Sequence, residues 1–183
     1  MSAAVEASPL AGLVRLGALA AIAAGALRIM STFIPYAAES AELEALYGVI
    51  DLGLMFGLVA VDLAVSGRVG AVGLFGFAVA LAGVASIVGP DGEMFGVAFY
   101  RVGALVFVAG LALLAAAMLR SGALRMPALV WLGTFGASLA AIAWPPAFMA
   151  AGLLLGAGYV LAGVGLMRTG SAHRHVKAHL RNA

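Results

Sequence analysis

Six stretches of about twenty residues, almost free of charge, occupy most of this chain: 10–34, 43–65, 69–88, 95–119, 127–144 and 147–167. A hydrocarbon layer about 30 Å thick takes about 20 apolar residues of helix to cross, and each stretch meets that length or comes close. Of the 183 residues, 64% are hydrophobic and only 10% charged. A water-soluble domain carries roughly a quarter of its residues as charges, so a bilayer is the solvent that fits this composition. The fold expected is all-α integral membrane, with six transmembrane helices in a single domain, 1–170, and a basic tail, 171–183. The first stretch is too long for the apolar core of a signal peptide, and no polar region follows it, so it reads as a span.

Loop charge gives the orientation. Arg15, Arg68, Arg120 and Arg125 flank one set of connections, and Arg168, Arg174, Lys177 and Arg181 follow the last stretch. The other set carries Glu39, Glu42, Glu44, Asp91 and Glu93. Basic loops stay in the cytoplasm, which puts both termini there. Arginine-dominated basic residues and abundant Ala, Gly and Val fit a bacterial inner membrane. The positive residues sit at helix ends and form no basic face with interleaved aromatics, so nucleic acid is excluded as a partner.

The punctuation repeats. Pro35, Pro90 and Pro145 stand 55 residues apart, each at the end of an odd-numbered stretch, where a proline stops a helix for want of an N–H. The even-numbered stretches end in Ser66-Gly67, Ser121-Gly122 and Thr169-Gly170, where glycine takes the left-handed conformation freely. Three like-oriented hairpins follow, at about 10–67, 68–122 and 123–170. Small-residue faces such as Gly17-xxx-Ala21-xxx-Gly25, Gly53-xxx-Gly57 and Gly152-xxx-Gly156 suit close helix packing, within the chain or between copies. Three tandem hairpins with Gly-rich even helices, as in residues 151–159, resemble the HdeD-type acid-resistance membrane proteins over 10–170. That resemblance implies the three-hairpin architecture and transfers no site residue.

Arg28, Asp51 and Arg101 are the charges placed deepest in the spans. A charge at the bilayer centre costs at least about 2.5–3.5 kcal/mol on insertion scales, so it pairs or meets water. All three lie on the order of 5–9 Å outward of the midplane at 1.5 Å per residue, on three different helices. On the second helix Glu44, Tyr47, Asp51 and Asp62 fall within about 40° of one line, a polar stripe that lipid should not face. Thr32 follows Arg28 by one turn, and Tyr100 adjoins Arg101. Asp51 can pair with either arginine as interhelical glue, with Asp62 bridging to Arg68. Two arginines against one deep carboxylate leave one guanidinium to meet a carboxylate, a phosphate or a lipid head group. A proton path through Tyr47, Asp51 and Asp62 is a third reading, its two carboxylates about 16 Å apart along the axis.

Absences narrow the chemistry. The chain has no cysteine, and its histidines, His173, His175 and His179, are all in the tail. Haem, a Schiff-base cofactor and a histidine metal cluster have no ligands in the spans, so neither cofactor nor metal is expected. The tail suits contact with anionic lipid heads. Three functions stay open. The first is binding or transport of a small anionic or lipid ligand at the outer-half Arg/Asp site. The second is a structural or accessory subunit, as a homo-oligomer or with a partner membrane protein. The third is a lipid-modifying enzyme with Asp51 or Glu44 as acid or base. That reading is the least favoured, because sequence supplies no acid–base geometry and no catalytic residue is assigned. Proline at span ends rather than mid-membrane favours a binder over a transporter.

Overall fold

The computed structural model describes residues 9–34, 40–88, 93–94 and 97–181, with side chains described within 9–34, 40–88 and 100–169. Pro35, Glu39, Pro90 and Asp91 lie outside the described residues, as do the side chains of Glu93 and the tail. Five helices carry the fold: α1 (Pro9–Ser31), α2 (Ala41–Ile87), α3 (Phe99–Ser121), α4 (Arg125–Ala143) and α5 (Ala147–Arg181). All five are long and apolar enough to cross a membrane. Large apolar side chains point outward from every helix: Leu16 is 67% exposed, Phe75 64% and Ile142 81%. An apolar exterior of this extent matches lipid and not water.

The expected second and third helices are one continuous assignment, α2, broken at Gly70. There φ is 63° and ψ −166°, a conformation close to glycine's own region of the map. A straight helix would hold Asp51 and Ile87 about 54 Å apart, yet both line the same cavity. The chain therefore doubles back at Gly70, giving α2 a first arm, 41–69, and a second, 71–87. Glycine was expected to end this helix at Gly67. It continues one turn further, which buries Val69 over Gly73.

At Ser121-Gly122 the expectation holds in detail. Gly122 has φ 71°, the Ala123 amide donates to the Met118 carbonyl at 2.9 Å, and the Gly122 amide donates to that of Leu119 at 3.2 Å. These are the two bonds of a Schellman stop. At Gly170 the helix does not end, since α5 runs on to Arg181. A glycine permits a left-handed residue without requiring one. The fourth helix begins at Phe99 and not at 95. A two-strand ladder, β1 (Glu93–Met94) with β2 (Val97–Ala98), precedes it where no strand was expected, pairing Glu93 with Ala98 and Met94 with Val97.

Successive helices pack antiparallel through glycine. A Cβ on Gly53 would meet Ala24 at 2.6 Å, joining α1 to the first arm of α2. One on Gly83 would fall 2.6 Å from the Phe107 Cα, joining the second arm to α3. Gly158 receives the Trp131 ring, joining α4 to α5, and Gly25 and Gly156 meet face to face where α5 returns to α1. Helix α3 also touches α4, so the helices close a ring. Alternation around it puts Arg15, Arg68, Arg120, Arg125 and Arg168 towards one end. Arg68 there donates from Nη2 to the Ser121 carbonyl at 3.3 Å. It does not bridge to Asp62, whose Oδ1 is buried with no hydrogen-bond partner among the described residues.

Candidate functional site

Inside the ring, towards the end opposite those arginines, lies a cavity of about 420 Å³. Every helix contributes to its wall. Arg28 comes from the last turn of α1, Asp51, Leu54 and Ile87 from the two arms of α2, and Tyr100, Arg101 and Leu105 from the start of α3. Thr134 and Ser138 face it from α4, and Phe148, Gly152 and Leu155 from α5. The antiparallel ring explains the convergence. Residues near the end of α1 and α4 meet residues near the start of α2, α3 and α5 at one depth.

Four of the residues singled out from sequence, Arg28, Asp51, Tyr100 and Arg101, share this wall. Asp51 is only 9% exposed and lies within electrostatic reach of the Tyr159 hydroxyl below it. Arg28 is half-buried, and its Nε has no hydrogen-bond partner among the described residues. Tyr47 stands outside the lining but carries the Arg28 guanidinium 6.0 Å from its ring centroid, at the outer range of a cation–π contact. Arg101 is exposed at the mouth.

The others fall elsewhere. Thr32 donates from Oγ1 to the Arg28 carbonyl at 2.9 Å, beside a matching bond from Ser31 at 3.0 Å. These bonds hold the last turn of α1, and the Thr32 side chain packs over Gly152. Glu44 is exposed and away from the cavity. Asp62 is separated from Asp51 by Leu54 and Leu58, at 1% and 0% exposure, so the two carboxylates do not share a compartment.

No protein-family model, curated protein or solved structure matches this chain. The cavity's own chemistry has to carry the functional reading.

Its outer part is polar and its inner part apolar. Two arginines against one aspartate give the lining a formal charge of +1 with all three ionised. Thr134 and Ser138 add hydroxyls, although Thr134 already donates to the Val130 carbonyl at 3.1 Å. Below them the wall is Leu54, Phe107, Val108, Ala151 and Leu155. Behind Phe107 the packing is aromatic, for Tyr159, outside the lining, packs on Trp131 at 5.2 Å between centroids and on Phe107 at 6.4 Å. Trp131 and Tyr159 are fully buried, and their Nε1 and Oη have no hydrogen-bond partner among the described residues. Sequence reasoning missed the α4 and α5 contribution. One signal was present, because Thr134 and Ser138 are the only hydroxyl residues of α4 and stand i, i+4 on one face. No group of three or more His, Asp or Glu able to hold a metal occurs among the described residues.

Proposed function

We propose that this chain is a bacterial inner-membrane protein that binds a small anionic or lipidic ligand in the cavity at the head of its helix ring. Six spans cross the bilayer in this reading, the two arms of α2 counting separately. They form three like-oriented hairpins with the basic helix ends and both termini in the cytoplasm, so the cavity faces the outer leaflet. The observation that carries the reading is the placing of Arg28 and Arg101 across one concave wall whose other half is apolar. A guanidinium matches carboxylate and phosphate oxygens in a planar fork, and a cavity of this size falls in the range that holds small ligands. The outer position of the charge favours binding over catalysis, since the lining holds no second Asp or Glu and no His among the described residues.

The test uses the full chain in phosphatidylcholine nanodiscs with glycerol phosphate as the soluble probe. A hydrogen bond to a charged group contributes about 1.5–3 kcal/mol, so Arg28→Gln and Arg101→Gln should each weaken binding by about 10–100-fold. Unchanged affinity in both variants, with helicity and insertion intact, would remove the reading.

A further inference from the structure

The ring is not equally tight all round. Three of its seams are drawn together by glycines whose missing Cβ lets backbones come close, with Gly17, Gly53 and Gly57 between α1 and the first arm of α2, and Gly76, Gly83, Gly103 and Gly110 between the second arm and α3. Gly25, Gly156 and Gly163 do this between α5 and α1, while between α4 and α5 the glycines take side chains instead, the Trp131 ring over Gly158 and Leu124 over Gly165. The seam between α3 and α4 has no glycine contact of either kind among the described residues, and the two arms of α2 have one only beside their turn, where Val69 meets Gly73. The α4 glycines on offer do not serve it, because Gly133 meets only Leu154 of α5 and Gly136 has nothing within 4 Å.

Exposure of the cavity wall follows the same line. On α3, Arg101, Leu105 and Val108 stand at i, i+4 and i+7 and all line the cavity, so they form one stripe down the helix. Arg101 is exposed and Leu105 is 55% exposed, while Val108 is only 8%. On α4, Ser138 is half-buried and Thr134, one turn deeper, is 1% exposed. Residues that line an interior cavity and are also open to the exterior mark an opening through the wall. Phe148, in the first turn of α5, is 63% exposed at the mouth, whereas Leu105 lies one turn below Arg101, so on α3 the opening continues below the mouth at the depth of the charged groups. It closes at the level of Val108 and Thr134, which are 8% and 1% exposed.

We infer that the α3–α4 seam is a lateral portal, and that the ligand is a membrane lipid with an anionic head. The head sits between Arg28 and Arg101, and the chain leaves through the portal past Leu105 into the bilayer. The inference rests on the anion-binding reading and deepens it. A cavity of about 420 Å³ is far smaller than a whole phospholipid, so a lipid held here keeps most of its hydrocarbon outside. Only a lateral opening lets that chain stay in an apolar medium, where every CH₂ is favoured over water. A free phosphate offers the same head chemistry but needs no such opening.

The experiment separates the two sources. A palmitoyl lysophosphatidate with a diazirine in its chain is incorporated into phosphatidylcholine nanodiscs holding the full protein, then photolysed, and the adducts are mapped by mass spectrometry. Glycerol phosphate binding is measured on the same preparation. The portal predicts adducts concentrated on Val102 and Leu105 of α3 and on Leu139 and Ile142 of α4, displaced by excess glycerol phosphate. Adducts spread evenly over exposed positions on other faces, such as Leu16, Phe56 and Phe75, together with intact glycerol phosphate binding, overturn the portal and leave the cavity reading standing. Absence of both glycerol phosphate binding and seam adducts overturns the portal and the cavity reading together.

Discussion

Where α5 crosses α1, the two backbones touch through a reciprocal pair of glycines, and this crossing sets how far the ring can open. A Cβ on Gly156 would fall 2.5 Å from the Gly25 carbonyl oxygen and 2.8 Å from the Ile29 Cγ1. A Cβ on Gly25 would fall 2.5 Å from the Gly156 carbonyl oxygen and 3.0 Å from Val160. Carbon makes favourable contact at about 3.5–4.0 Å, so either alanine has to push the helices apart by about 1 Å. Overpacking of that kind costs about 1–3 kcal/mol. It is offset in part by alanine's helix propensity, about 0.8–1.0 kcal/mol better than that of glycine. Gly48 in α2 supplies the control, because nothing lies within 4 Å of its Cβ position. Gly48→Ala should stabilise by up to about 1 kcal/mol, while Gly156→Ala and Gly25→Ala each destabilise by about 0–2 kcal/mol once propensity is subtracted. The double variant is the sharper test. One displacement relieves both clashes, so its cost should fall short of the sum by on the order of 1 kcal/mol. Reversible unfolding in bicelles, followed by steric trapping, measures all four proteins. If Gly156→Ala behaves like Gly48→Ala, or the two crossing variants add, the backbone contact is not what holds this seam.

Other outcomes follow from the same geometry. Gly70→Ala meets no neighbour but forces a Cβ onto φ 63°, ψ −166°, and should cost about 1–3 kcal/mol in the same unfolding assay. Tyr159→Phe removes a buried hydroxyl that has no hydrogen-bond partner among the described residues. It should leave stability unchanged or raise it by up to about 1–3 kcal/mol; a clear loss would show that the hydroxyl is engaged. Trp131→Ala removes a fully buried ring from against Tyr159 and should cost about 3–5 kcal/mol, detectable as a lower unfolding midpoint. Asp51→Asn removes the one carboxylate that the lining holds among the described residues and should tighten glycerol phosphate binding by roughly tenfold in calorimetry.

What could be read from sequence was whatever depends on one helix at a time. Apolar length marked the helices, and Gly122 marked a stop because its neighbours supply the two bonds that a Schellman end needs. Gly67 and Gly170 carry the same dipeptide signature without ending a helix. The difference lies in tertiary packing, since Val69 is buried by one more turn of helix and that gain is invisible in local pattern. The charges obeyed the same division. Arg28, Asp51 and Arg101 were conspicuous because each is costly in lipid wherever it points, and a shared depth was enough to bring them to one wall.

Thr134, Ser138 and the apolar half of the wall carry no such penalty, so apart from the i, i+4 spacing of the two hydroxyls nothing in their own helices distinguishes them from lipid-facing residues. Only the closure of the ring assigns them to the cavity, and closure depends on where glycines allow backbones to touch. The seam without glycine is equally a property of pairs: Gly133 and Gly136 are present in α4, yet neither approaches α3. Counting small-xxx-small motifs would have marked this helix as tightly packed on every side. The physical content of such a motif is the contact it permits, and that contact exists only when a partner backbone arrives at the same height.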